Sequence, residues 1–190
     1  LGDFIMNRST RPWTIYPWIH ASSNAKSLQG MLASAEIPSF DIVEHLQNIN
    51  PGAQMCIRAG EFLREYEKRL DEHGTWDCIV TCFFLDTAPD IFEYMNIIYR
   101  LLRPTKGLWI HFGPREYHWQ MWGDDSLGVD ERHRQSVELT YDEVRCAIMK
   151  NGFNILEESE AFIETTYTSS GANSMRRTVY DCATFVARKS

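Results

Sequence analysis

Residues 76–86, WDCIVTCFFLD, and residues 107–114, GLWIHFGP, decide how this chain folds. The first stretch is apolar, rich in β-branched and aromatic side chains, too short for a membrane span, and ends in a single carboxylate, Asp86. That pattern predicts a strand buried on both faces that delivers an acid to its carboxyl end. Ligands of open α/β sheets bind outside that edge, which makes Asp86 the first candidate functional residue. Asp before Thr-Ala-Pro is equally a helix N-cap signal, so the two readings stand side by side.

Working outward, residues 53–59, AQMCIRA, read as a short strand, and Gly60-Glu61 open a helical run, FLREYEKRLDEHG, that ends at Gly74 in a C-terminal cap position. Pro89 suits the first turn of a helix whose apolar positions are Ile91, Phe92, Met95, Ile98, Leu101 and Leu102, and which stops before Pro104. Residues 107–112 form the next strand. Residues 115–138 are polar and irregular, with WGDDSLGVDERHR the loosest part and DERHR a solvated, charge-mixed loop. Leu139-Thr140 introduces a helix over 141–150, closed by Asn151-Gly152. Two strands, 153–163 and 178–188, finish the chain, joined by a loop with Ser169, Ser170 and Gly171. The order β-α-β-α-β-loop-α-β-β predicts an α/β fold with a mostly parallel sheet and a terminal antiparallel strand.

Before this core, residues 1–8 resemble the tail of an amphipathic helix, and WTIYPWIHASSN, with Pro12 preceding it and Pro17 inside it, reads as a rigid extended segment. Trp13, Tyr16, Trp18 and His20 either line a pocket or pack as an aromatic loop. A short helix is expected near 25–35, and HLQNINPG reads as a polar loop. The expectation is one domain over 1–190, with an aromatic, loop-rich leading segment at 1–52 and the sheet with its helices at 53–190.

A net charge of −7 and 19 scattered basic residues argue against a nucleic-acid scaffold. The five cysteines are an odd number placed within apolar or periodic segments, which favours reduced thiols and a cytoplasmic, also nuclear, location. No stretch reaches the roughly 18 apolar residues of a spanning helix, so no membrane partner is expected. Cys78 and Cys82 share one strand face, yet no further ligands complete a metal site, and a buried-thiol role is favoured. His111, inside a strand, reads as a satisfied or surface histidine.

The strand-AGE-helix, the strand ending in Asp86, and the turn LLRPTKG before the next strand are those of a Rossmann-like class I methyltransferase. More specifically, YPWIHASSN, AGEF, TWDCIVTCFFLDTA, GLWIHFGPREYHW, ELTYDEV and YDCATFVARK resemble, in order and over nearly the whole chain, the N2227-like family of carnosine N-methyltransferases. The resemblance implies transfer of a methyl group from S-adenosylmethionine to an imidazole nitrogen of the dipeptide carnosine, giving anserine. It places Asp86, His118 and Tyr180 on the dipeptide-binding, catalytic positions and Tyr167 on an aromatic near the substrate. Glu61 and Phe62 fall on the pair flanking the adenine, and Cys82 on a position lining the cofactor. It also implies a homodimer formed through upstream segments.

Two substitutions depart from the family pattern: Glu61 stands for the usual Asp, and Thr178 for a frequent tyrosine. The larger departure is that no glycine-rich cofactor turn occurs in the chain. In the family's sheet order, 3-2-1-4-5-7-6, AQMCIRA is strand three and WDCIVTCFFLD strand four, so strands one and two are expected to be absent. The chain is accordingly expected to be the carboxyl-terminal part of a longer enzyme, binding cofactor poorly by itself. Rival readings are a methyltransferase for another histidine-containing peptide or protein, a truncated non-catalytic form, and a nicotinamide-dependent Rossmann enzyme.

Overall fold

The computed structural model describes residues 13–37, 42–120, 130–167 and 173–190. The expected helix tail at 1–8 and the loop at Ser169, Ser170 and Gly171 lie outside the described residues, as does most of WGDDSLGVDERHR. The chain divides into two compact units, Leu1–Ala59 with Thr166–Thr178, and Gly60–Thr165 with Val179–Ser190.

In the first unit β1 (Trp13–Ile15) pairs antiparallel with β2 (Ala35–Ile37), and α1 (Leu28–Met31) lies between them in sequence. Ser27 caps α1, its hydroxyl accepting the Gly30 N–H at 3.0 Å. Asn24 ties this segment to the far end of the unit, donating to Ser174 Oγ at 2.8 Å and accepting the Arg176 N–H at 2.8 Å. Trp13, Tyr16 and Trp18 are exposed. Two expectations fail here. HLQNINPG is no loop through its first half, because α2 (Ile42–Ile49) runs through it on the apolar spacing Ile42, Leu46 and Ile49. Residues 53–59 form no strand: among the described residues no neighbour pairs with them, and Met55 and Ile57 are exposed. A strand is held by its ladder, and apolar composition alone does not supply one.

The second unit opens with α3 (Phe62–Tyr66), followed by a 3-10 turn at Leu70–Glu72, so the expected single helix is broken in its middle. Then come β3 (Cys78–Cys82), α4 (Ile91–Leu101), β4 (Leu108–Gly113), α5 (Glu131–Arg134), α6 (Tyr141–Lys150), β5 (Phe153–Glu158), β6 (Ile163–Tyr167) and β7 (Thr178–Lys189), of which Thr166, Tyr167 and Thr178 fall in the first unit. The sheet order is β3-β4-β7-β5, with β6 also pairing β7. β3 and β4 are parallel, and β7 runs against both β4 and β5, so β3, β4 and β5 share one direction. DERHR is thus partly helix rather than loop, and the closing region holds three strands rather than two.

One sheet face is covered. Trp109, Phe185 and Ala187 pack with Ile91, Met95, Ile98, Val144, Ile148 and Phe153 from α4, α6 and β5. Each fully buried Val, Ile, Met or Phe among them contributes about 1.5–3 kcal/mol. α6 starts with a full capping box between Thr140 and Glu143. The Lys189 ammonium donates to the Tyr99 and Leu102 carbonyls at 2.7 and 2.8 Å, satisfying the end of α4. The return turn is tight: a Cβ on Gly107 would lie 2.7 Å from Leu102 Cβ and 2.8 Å from the Arg103 backbone. Thr105 takes a φ of 60° to make it.

The other face corrects the expectation of a strand buried on both sides. Cys78, Val80 and Cys82 are exposed, Val80 at 65%. Among the described residues β3 has a partner strand on one edge only, and helices cover only the opposite face.

Candidate active site

The chemistry-bearing side chains gather where β3 and β4 end. β3 stops at Cys82, and Phe83 turns out of the sheet with a φ of 49°, a strained conformation for a bulky residue. Its N–H still reaches the Phe112 carbonyl at 2.9 Å, and its ring packs edge-on against Phe112 and Tyr180, each 5.9 Å away. Gly113 permits the approach, since a Cβ there would sit 3.1 Å from Phe83 N and 3.2 Å from Phe83 Cα. The strained residue hands the chain to a 3-10 turn, Leu85–Thr87, which buries Asp86.

Asp86 is not a helix cap. Asp90 takes that part for α4, accepting the Phe92 N–H at 2.7 Å, and Pro89 precedes the cap rather than opening the helix. Asp86 instead faces the segment after β4. Its Oδ2 accepts the Glu116 N–H at 3.1 Å, and its carbonyl accepts the His118 N–H at 3.1 Å. Asp86 is only 4% exposed, and burial raises its pKa above the ordinary value, opposed by the Glu116 N–H and by His118. His118 is itself exposed. The Tyr180 hydroxyl, on β7, donates to the Glu116 carboxylate. Asp86, His118 and Tyr180 are therefore brought together, with Glu116 bonded to two of them.

The segment after β4 is held from outside as well. Trp119 Nε1 donates to the Thr87 carbonyl at 2.9 Å, and His133 Nδ1 donates to the Trp119 carbonyl at 2.9 Å. The Arg132 guanidinium lies 3.9 Å from the centroid of the Trp119 ring and pairs with Asp130. Tyr117 donates to the Leu139 carbonyl at 2.8 Å.

Below the site, His111 is the satisfied core histidine. Its Nδ1 is 3.0 Å from Thr81 Oγ1, which also accepts the Trp109 indole N–H at 2.8 Å. The same hydroxyl lies 3.4 Å from the Ile110 carbonyl, so Thr81 joins the imidazole, the indole and the strand backbone in one buried network. Burial lowers the His111 pKa to about 4, so it is neutral at physiological pH.

Beside Asp86 a cleft of about 700 Å³ opens between the starts of α3 and α4 and the residues of α5. Glu61, Thr87, Tyr94, Trp119, Asp130 and Arg132 line it. Glu61 serves as the N-cap of α3, its carboxylate accepting the Leu63 and Arg64 N–H groups at 3.1 and 3.0 Å. Two of its roughly four lone-pair sites are used, and the rest remain for a donor in the cleft. Phe62 does not line the cleft. It packs against Phe84 and Tyr94 at 5.1 and 4.9 Å, behind the cleft wall. Cys82 sits at the end of β3 on the exposed face. Tyr167 belongs to the other unit, at the end of β6, and is exposed.

Glu116, Trp119 and Arg132 escaped sequence reading. Glu116 and Trp119 lie within GLWIHFGPREYHW, where nothing in the pattern marks them out, and Arg132 lies in DERHR, whose charge mixture suggests a solvated loop. Among the described residues no group of three or more His, Cys, Asp or Glu is placed to hold a metal, and no helix is long and apolar enough to cross a membrane.

The order β3-β4-β7-β5 is that of strands 4-5-7-6 in a Rossmann-like class I methyltransferase sheet, with an acid at the end of strand four. The carnosine N-methyltransferase profile matches residues 1–190, and the chain belongs to that family. The carnosine N-methyltransferase of Rattus norvegicus is 33% identical over 190 residues, covering 99% of this chain and 42% of its own length. That of Dictyostelium discoideum is 32% identical, covering 98% and 36%. The chain thus spans less than half the length of these relatives. Among solved structures it is similar to TehB from Haemophilus influenzae, with 15% identity, a TM-score of 0.47, and coverage of 79% of this chain and 46% of that one.

The lining of the cleft fits the adenine end of S-adenosylmethionine, the cofactor this family implies, because it offers hydrogen-bond acceptors. An exocyclic amine is a donor, the cleft offers the Glu61 and Asp130 carboxylates, and Tyr94, backed by Phe62, supplies an aromatic wall.

Proposed function

We propose that this chain carries the acceptor-binding part of an S-adenosylmethionine-dependent N-methyltransferase that methylates an imidazole nitrogen of carnosine, forming anserine. The observation that carries the reading is the convergence of Asp86, His118 and Tyr180 beyond two parallel strands, in a chain belonging to this family.

The cofactor supplies an electrophilic methyl group when bound. The work of the chain is to hold the acceptor. A neutral imidazole is already nucleophilic, so alignment is the main requirement, and alignment is worth about 7–11 kcal/mol in favourable systems. The bonds from the Glu116 and His118 N–H groups fix the turn that carries Asp86, and Asp86 and Tyr180 then meet the dipeptide from two sides. Asp86 binds either the imidazole N–H or the ammonium group, and His118, exposed beside it, contacts the dipeptide from the rim. Glu61 and the aromatic wall at Tyr94 hold the adenine, while Cys82 faces the cofactor from the end of β3.

The test is labelled methyl transfer by the complete protein to carnosine, homocarnosine and histidine peptides. Turnover of carnosine is expected, and its absence where another acceptor reacts overturns the substrate assignment. A homodimer, implied by the family resemblance, is checked by light scattering. Five free cysteines support the cytoplasmic and nuclear assignment, which imaging of the tagged protein checks.

A further inference from the structure

Glu116 bonds both to the buried acid and to the tyrosine of the site, through different atoms. Its backbone N–H donates to Asp86 Oδ2 at 3.1 Å, and its carboxylate accepts the Tyr180 hydroxyl proton. The two bonds differ in surroundings. Asp86 is buried, whereas the Glu116 side chain is exposed to water. The Phe83 ring, packed on Tyr180, holds the phenol in place.

A phenol has one proton. With that proton committed to Glu116, the Tyr180 oxygen can meet any further polar group only as an acceptor. An imidazole approaching Tyr180 must then present its N–H, and the lone pair of the other nitrogen is turned away from the tyrosine.

We propose that Glu116 is a positioning residue that orients the Tyr180 hydroxyl as an obligate acceptor, so that the acceptor imidazole binds as one tautomer and is methylated on one nitrogen. The inference rests on the imidazole-methyltransferase reading above. In the transfer, the lone pair of the attacking nitrogen forms the new N–C bond as the S–C bond breaks and its electron pair returns to sulfur. The product imidazolium is more acidic than the substrate. Its N–H proton passes to Tyr180 while the phenol proton passes to Glu116, from which it leaves to water. The carboxylate is thereby restored, and charge and protons balance.

The experiment compares wild type, Glu116→Gln, Glu116→Leu and Tyr180→Phe in the complete protein, measuring kcat, KM, the ratio of the two N-methyl isomers by NMR, and binding of S-adenosylhomocysteine. Glu116→Leu is expected to lower kcat/KM about tenfold, mainly in kcat, and to yield both isomers, with cofactor affinity and melting temperature unchanged. Glu116→Gln, whose amide oxygen still accepts the phenol proton, keeps the single isomer at reduced kcat. In a Tyr180→Phe background, Glu116→Leu has no further effect, because it acts through the hydroxyl. An unchanged kcat/KM and isomer ratio in Glu116→Leu, or effects of the two substitutions that simply add, overturns the inference while wild-type turnover leaves the functional reading standing. If wild type methylates no imidazole acceptor at all, both fall together.

Discussion

Replacing Asp86 separates what the site costs in stability from what it supplies in chemistry. Asp86 is 4% exposed, and its carboxylate accepts the Glu116 N–H at 3.1 Å. Burial raises its pKa, with the Glu116 N–H and His118 opposing. A group with a raised folded-state pKa stabilises fully below its unfolded value, and that contribution is lost as pH rises through the folded value. Ionised Asp86 at neutral pH therefore weighs against folding. Asp86→Asn removes the charge and keeps a carbonyl oxygen for Glu116, so its melting temperature at pH 7 is expected to equal or exceed that of wild type. The advantage shrinks on acidification towards the ordinary Asp value of 3.8, where wild type becomes neutral too. Asp86→Ala instead leaves the Glu116 N–H without its acceptor, which costs about 1–3 kcal/mol. At about 2–4 °C per kcal/mol for a chain of this size, its melting temperature falls by roughly 2–12 °C. Thermal unfolding of the three proteins between pH 3.5 and 8 is the assay, with methyl transfer and S-adenosylhomocysteine binding measured in parallel. Both variants are expected to lose transfer and retain cofactor binding. An Asn variant less stable than the Ala variant, or an Asn-to-wild-type difference that does not change with pH, would refute the reasoning.

His111 adds an acid limb of opposite sign. Its pKa falls from 6.5 to about 4 on burial, so the unfolded chain binds the extra proton first, and stability drops by about 3 kcal/mol as pH falls across that interval. Urea unfolding of His111→Phe is expected to flatten this limb, and a limb of undiminished size would exclude His111 as its source. Thr105, at a φ of 60°, carries about 1–2 kcal/mol of strain against about 0.5–1 for the added chain entropy of glycine, so Thr105→Gly should raise stability by up to about 1 kcal/mol. Phe83→Gly relieves similar strain but forfeits ring contacts to Phe112 and Tyr180 worth about 0.5–1.5 kcal/mol each. A net loss near 1 kcal/mol is expected, with a larger fall in kcat than in cofactor affinity, and a net gain in stability would show that the rings do not hold the turn.

The sheet was legible wherever a strand carried its own boundary signals. WDCIVTCFFLD, GLWIHFGP and the final YDCATFVARK appear as β3, β4 and β7, and the helix between the first two lies within a residue or two of its expected limits. What failed depended on partners that composition does not reveal. AQMCIRA has strand composition and no ladder, and Cys78 and Val80 have core composition on a face that no described helix covers. The helix α2 was hidden because Gln47, Asn48 and Asn50 suggest a loop, while its apolar spacing starts earlier, at Ile42. In the candidate site, motif matching singles out Asp86, His118 and Tyr180, and the fold brings these three together. The motifs give no access to Glu116, whose part depends on β7 returning beside β4 from far along the chain.

That long-range return explains why two carboxylates at one site do different work. Asp86 is set by a local turn and buried, with the Glu116 N–H on its carboxylate, and in the proposed reading it holds and orients the acceptor. Glu116 is exposed and bonded to a phenol from another strand, so a proton reaching it meets water at once. Exchanging their surroundings would put the proton outlet in a dry turn and the orienting acid in solvent, where hydrogen bonds to it lose most of their net worth. On the proposed reading, the sheet order that places β7 next to β4, rather than either residue alone, is what would let the pair serve the alkylation of a neutral base.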